Sequence, residues 1–224
     1  MAPRDFRSRL VRRASKAGIR LTDDLSASLT AYYELLARWN RKINLTGLTD
    51  ADEAIDRLLL EPLVATRYLP SKVGSLMDIG SGGGSPAIPL KLATPGLALT
   101  MVEVKARKSA FLREAIRQLE LDSTHVENAR YEELLTRPEL HDRHDVVSIR
   151  AVRVDPRALV TVQAFLRPRG SIMLFRGPDG TGETPPFYPP LELVQTVPLL
   201  EATQSRLTVL AKRPVGVRTE VFGI

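Results

Sequence analysis

Between residues 78 and 86 the chain reads Asp78-Ile79-Gly80-Ser81-Gly82-Gly83-Gly84-Ser85-Pro86. Glycines at this density let a backbone turn sharply and lie bare against a ligand. The residues before the turn, Ser75 to Ile79, read as a strand, and those after it, Pro86 to Ala93, as a helix. That setting suits a nucleoside-bearing cofactor. A second strand-like run, Leu97 to Val104, ends near Glu103, where a carboxylate can accept hydrogen bonds from two ribose hydroxyls. A dinucleotide turn wants its third glycine three places after the second. Here Gly80, Gly82 and Gly84 stand two apart, with Asp78 on the strand before them. S-adenosylmethionine has no pyrophosphate to rest on a helix end. It has a positive sulfonium and an amino-acid end, which an acidic residue and loop carbonyls can hold. The spacing therefore favours S-adenosylmethionine over a nicotinamide dinucleotide, with Asp78, Gly80, Gly82, Gly84 and Glu103 as its expected contacts.

These residues need elements to carry them. Downstream of Pro70-Ser71-Lys72-Val73-Gly74, short apolar runs alternate with helical stretches. Lys108 to Leu119 reads as a helix; His125-Val126, Asp145 to Ile149 and Ser171 to Phe175 read as strands. Such alternation implies a parallel sheet with right-handed crossovers. Gly177 to Pro190 reads as a loop, followed by a closing pair of strands at Leu191 to Val197 and Arg206 to Leu210. Upstream, Leu25, Leu29, Tyr32, Leu36 and Trp39 form the stripe of an amphipathic helix, with Thr22 as its N-cap and Asp23 and Asp24 in its first turn. A further helix is expected from about Asp50 to Tyr68, kinked or broken at Pro62.

Composition narrows the chemistry. There are no cysteines, which excludes disulfides and thiolate ligands or nucleophiles. His125, His141 and His144 lack the spacing of a paired site on a helix, so no metal is expected. No apolar run approaches a membrane span, and the charged N-terminus lacks the apolar stretch of a secretory signal. A cytoplasmic protein is expected. Residues 1–20 carry Arg4, Arg7, Arg9, Arg12, Arg13, Lys16 and Arg20 against Asp5 alone, which accounts for the whole net charge of +6. A basic arm on a neutral body suggests a polyanionic partner; the plainer reading is a solvated helical tail.

The chain resembles the glucose-inhibited division protein B family, bacterial methyltransferases acting on a guanine N(7) of 16S ribosomal RNA. The resemblance covers roughly residues 20–212. It rests on Trp39-Asn40-Arg41-Lys42-Ile43-Asn44-Leu45-Thr46, the Asp78 to Leu90 turn, and Glu103 with Lys105 to Leu112. It continues in Ala129-Arg130-Tyr131-Glu132-Glu133 and Ser148-Ile149-Arg150-Ala151-Val152. The resemblance implies that Gly80, Ser85, Tyr131, Glu132 and Arg150 contact the cofactor. Tyr131 and Glu132 would lie beside the adenine, and Arg150 near both the cofactor and the target base. This chain departs from the family pattern at Leu58 and Glu61-Pro62, where a histidine and an Asp-Ser pair are usual. It departs again at Ser85, usually a large apolar residue, and at Arg176, usually a lysine.

The expected architecture is thus α/β: a class I, Rossmann-like methyltransferase sheet over residues 71–214, an N-terminal helical cap with its basic arm over 1–70, and a tail over 215–224. The expected activity is methylation of 16S ribosomal RNA by a monomer. Arg150 is the candidate catalytic residue, and Arg38, Arg41, Lys42 and Arg176 are the candidate RNA contacts. A methyltransferase acting on another RNA position, a protein or a small molecule stays open, as does a non-catalytic RNA-binding ribosome assembly factor. Trp39, on the helix stripe, reads as core before it reads as a stacking platform for a base. The histidines read as structural or solvent-exposed.

Overall fold

The computed structural model describes residues 3–150, 155–177 and 189–213. Seven strands form one sheet in the order β3-β2-β1-β4-β5-β7-β6. They are β1 (Ser75–Ile79), β2 (Ala98–Val102), β3 (Thr124–Glu127), β4 (His144–Arg150), β5 (Leu166–Arg176), β6 (Leu191–Pro198) and β7 (Arg206–Lys212). Neighbours run parallel from β3 through to β5, while β7 runs antiparallel to both β5 and β6. The chain starts in mid-sheet at β1, builds outwards to β3, and returns on the other side as β4. The crevice beyond the ends of β1 and β4 is therefore the topological switch point, where open α/β sheets bind their ligands.

Alternate residues of each strand feed two cores. On one face Leu76, Leu99, Met101 and Val146 pack with the helices α5 (Ala87–Ala93) and α6 (Ala106–Gln118). On the other face Met77, Ile79, Val147 and Ile149 pack with Leu159 and Val162 of α7 (Pro156–Val162), a helix not anticipated from the sequence. The first core also takes in α2 (Asp23–Asn40) through Leu29, Tyr32, Leu35 and Leu36. Thr22 caps α2 as expected, accepting from the Leu25 N–H at 3.2 Å.

Two upstream expectations change. The basic stretch contains a packed helix, α1 (Pro3–Lys16), which buries Phe6, Leu10 and Ala14 in the first core and stacks Phe6 on Tyr33 at 4.1 Å. Three of its cations are met by acids of this chain: Arg7 by Asp23, Arg9 by Asp52, and Arg13 by Asp52 and Asp56. Arg12, Lys16 and Arg20 remain exposed. The helix expected at 50–68 does run through Pro62, as α3 (Ala51–Ala54), a π-helical segment Ile55–Leu60, α4 (Glu61–Ala65) and a last 3-10 turn to Tyr68. Proline is tolerated there because it stands in the first turn of α4, after the wider π turn has re-registered the backbone bonds.

Among the described residues no helix is long and apolar enough to cross a membrane, and no cluster of three or more His, Asp or Glu could hold a metal. Ala151 and Val152, residues 178–188 of the expected loop, and the expected tail lie outside the described residues.

Candidate active site

The glycine turn leaves the end of β1 with Gly80, Gly82 and Gly84 at φ values of +73°, +52° and +86°. Spacing by two thus places a glycine at each position that needs the left-handed region. Gly83 is constrained for a different reason. A Cβ there would lie 3.1 Å from Leu36 Cδ1 and 3.3 Å from the Leu45 carbonyl, so α2 lies directly against the turn. The buried Tyr32 hydroxyl fastens the same contact, donating to the Gly83 carbonyl at 2.6 Å. Burial raises the Tyr32 pKa further, so the group stays a donor. Tyr32 read as a core residue of the helix stripe, and nothing in the spacing distinguished its second role.

Asp78 is the last residue but one of β1, beneath the turn and 1% exposed. One carboxylate oxygen accepts from the Ser148 hydroxyl at 2.6 Å. The other, Oδ2, is buried and has no hydrogen-bond partner among the described residues. Burial pushes the Asp78 pKa up to about 6, against the opposing pull of Ser148 and Arg150. Glu103 follows β2 and is also buried. Its Oε2 accepts from the Gly82 N–H at 2.9 Å and its Oε1 from the Lys105 N–H at 2.8 Å. A carboxylate offers about four acceptor positions, so two remain for a ligand.

These groups surround a cleft of about 360 Å³. Gly80, Gly82, Ser85, Glu103 and Arg150, all expected from the sequence, line it together. Asp78 lies behind the wall, and Gly84 packs away from the cleft against Ile88 and Leu112. Tyr131 and Glu132 follow β3 but are not on the lining; burial and the adjacent Glu132 raise the Tyr131 pKa to about 12. The outer wall contains residues that sequence reasoning had not assigned, namely Thr46, Gly47, Leu48, Arg57, Leu58 and Lys108. The first three belong to a loop built by Asn40, whose Oδ1 accepts from the Leu45 and Thr46 N–H groups at 2.8 and 3.0 Å. The run Trp39 to Thr46 therefore carries its weight through loop geometry. Trp39 itself packs edge-on to Phe111, as core.

Arg150 ends β4 and lies with its Cζ 5.6 Å from the centre of the Phe175 ring. Its Nη2 donates to Glu61 Oε2, and its Nη1 stands 3.5 Å from Ser85 Oγ. Glu61 is a further site residue that the sequence marked only as a departure. Arg38, Arg41 and Lys42 are exposed around the end of α2, and Arg38 bonds Gln118 at 3.1 Å. Arg176 ends β5, half-buried and off the cleft lining, and its pKa is lowered by burial.

A turn at the switch point, a carboxylate on the next strand with acceptor capacity to spare, and the cations Arg57, Lys108 and Arg150 on the lining could hold a nucleoside cofactor beside an anionic substrate. The sequence signature of the family described as rRNA small subunit methyltransferase G matches residues 25–187. A ribosomal RNA small subunit methyltransferase G of Xanthomonas axonopodis pv. citri is 38% identical over 152 residues, which covers 68% of this chain and 69% of its own. The protein of that name in Chloroflexus aggregans is 36% identical over 175 residues, covering 78% and 73%. Among solved structures, a SAM dependent methyltransferase from Aquifex aeolicus aligns with a TM-score of 0.55 at 13% identity, over 79% of this chain and 97% of that one. At that identity the likeness is one of fold.

Proposed function

Since the chain belongs to the rRNA small subunit methyltransferase G family, we propose that it methylates N(7) of a guanine in 16S ribosomal RNA, using S-adenosylmethionine bound in the cleft described above. The observation that carries this reading is the meeting of the glycine turn, Glu103 and Arg150 in one cleft at the switch point of the sheet. When bound, S-adenosylmethionine supplies a methyl group activated by a positive sulfonium.

The donor set fits that cofactor. Glu103 has acceptor capacity left for two ribose hydroxyls. The unpartnered Oδ2 of Asp78 puts a buried acceptor of negative charge beneath the turn, suited to the cationic cofactor. Bare backbone at Gly80 and Gly82 permits close approach. Tyr131 and Glu132, after the third strand, are assigned to the adenine side.

Guanine N(7) already has an in-plane lone pair and no hydrogen to lose. No side chain has to remove a proton, and the work left to the protein is alignment, with the reacting atoms about 3–3.5 Å apart. Arg150 suits that work, because a guanidinium remains charged and only donates. It orients the base or the cofactor. Arg38, Arg41, Lys42 and Arg176 are assigned to RNA phosphates, where each contact contributes sequence-independent affinity.

The test is to incubate the purified protein with labelled S-adenosylmethionine and small-subunit RNA that lacks the modification, then digest the RNA to nucleosides. Label in 7-methylguanosine is expected. Label in another nucleoside would overturn the N(7) assignment, and no incorporation would overturn the function.

A further inference from the structure

An α-helical proline offers no N–H to the carbonyl four residues before it. In this chain Pro62 therefore withdraws the donor that an α-helix would give the Leu58 carbonyl. That carbonyl, which lies in the π-helical segment, accepts from the Ser85 hydroxyl of the glycine turn at 2.9 Å. Having donated its proton, Ser85 Oγ can act towards Arg150 only as an acceptor, and Arg150 Nη1 lies 3.5 Å away. The residue before Pro62 completes the arrangement. Glu61 is 1% exposed, is not on the cleft lining, and bonds Arg150 Nη2 directly. Its other oxygen is buried with no hydrogen-bond partner among the described residues. The face of Phe175 closes a further side of the guanidinium.

A carboxylate this deeply buried is costly unless paired, and its visible partner is a residue that does line the cleft. We propose that Glu61 is a positioning residue for the methyl transfer. Together with Ser85, which the carbonyl of Leu58 holds, its carboxylate fixes the Arg150 guanidinium in one orientation towards the cleft. This rests on the proposed function, in which Arg150 contacts the base or the cofactor. Glu61 acts only through Arg150, and so differs from a residue that binds cofactor.

The test uses the full chain, with single-turnover methyl transfer at saturating cofactor and RNA, S-adenosylhomocysteine binding by calorimetry, and urea unfolding. Glu61→Gln preserves the shape and removes the charge. It is expected to bind S-adenosylhomocysteine within about threefold of wild type and to transfer methyl at least about tenfold more slowly, with Glu61→Asp recovering part of the loss. The double variant Glu61→Gln with Arg150→Ala is expected to be no slower than Arg150→Ala alone, because the two residues act as a unit. A Glu61→Gln rate within about twofold of wild type, or losses that multiply in the double variant, would overturn the proposal. If Glu61→Gln does not unfold cooperatively, Glu61→Asp, which keeps the charge but shortens its reach to Arg150, replaces it: a slower rate with S-adenosylhomocysteine binding within about threefold of wild type supports the clamp, and a rate within about twofold of wild type overturns it. If the wild-type chain transfers no methyl to RNA, the proposed function fails, and the clamp is then judged from the urea midpoints of Glu61→Gln, Arg150→Ala and their double variant. Non-additive shifts support it and additive shifts overturn it.

Discussion

Gly84 carries two separate demands, and replacing it with alanine should reveal both. Its φ of +86° lies in the region that L residues rarely adopt. Forcing alanine there costs roughly 1–2 kcal/mol. The new Cβ would also lie 2.5 Å from Ile88 Cδ1 and 3.1 Å from Ile88 Cγ1, with Leu112 Cδ2 at 3.4 Å. Ile88 and Leu112 are fully buried, so neither can swing into solvent. Overpacking of that kind costs about 1–3 kcal/mol. Gly84→Ala should therefore destabilise the protein by about 2–5 kcal/mol. Gly82→Ala is the control for the first demand alone. Its φ is +52°, and a Cβ there would meet nothing closer than the Gly80 carbonyl at 3.7 Å, so its loss should stay near 1–2 kcal/mol. Ile88→Val removes the Cδ1 atom at a cost of about 0.5–1.5 kcal/mol by itself. Combined with Gly84→Ala, it should give a total smaller than the sum of the two by about 1 kcal/mol or more. Urea unfolding of the four variants measures all of this. A Gly84→Ala loss no larger than that of Gly82→Ala, or strict additivity with Ile88→Val, would refute the claim that close helix packing requires glycine at position 84.

Other measurements bear on the site and its surroundings. Glu103→Ala should weaken S-adenosylhomocysteine binding by on the order of 1.5–3 kcal/mol, since the deleted acceptor is charged; an unchanged Kd by calorimetry would remove Glu103 from the cofactor site. His144 starts β4 in a buried position, and burial, followed by the nearby His125, Arg143 and Arg167, lowers its pKa to about 4. A histidine that resists protonation in the folded state contributes stability that is full above its ordinary value near 6.5 and is lost as pH falls towards 4. In urea unfolding at several pH values, His144→Leu should flatten the fall across that window by up to roughly 3 kcal/mol relative to wild type; parallel pH profiles would refute this. Replacing Arg38, Arg41 and Lys42 with alanine should lower the slope of RNA affinity against salt by about 0.7–0.9 for each phosphate that is no longer neutralised, and an unaltered slope would take that surface out of the interface.

The glycine turn and the cleft it lines were legible in the sequence because their constraints are local. A glycine is needed wherever the turn enters the left-handed region, and the strand and helix beside it show their own periodicities. Glu103 could be found because the next strand ends there. What was not legible depends on the meeting of distant segments. Tyr32 meets Gly83 across a helix and a turn, and Glu61 meets Arg150 beyond the end of the central strand β4. The basic N-terminal stretch concealed a buried stripe, Phe6, Leu10 and Ala14, because its arginines dominate the composition while acids at 23, 52 and 56 neutralise three of them. Pro62 suggested a break, and the π-helical segment that accommodates it leaves no clear sequence signal. Glu61-Pro62 and Ser85 appeared as separate departures from a family pattern; in the fold Glu61 and Ser85 both meet a single guanidinium.

Whether the chain carries out this methylation in the cell can be read by mass spectrometry of 16S ribosomal RNA from cells with the gene, without it, and with it carrying Arg150→Ala. One 7-methylguanosine is expected to be present in the first, absent in the second and largely absent in the third. An identical modification pattern with and without the gene would contradict the proposed function.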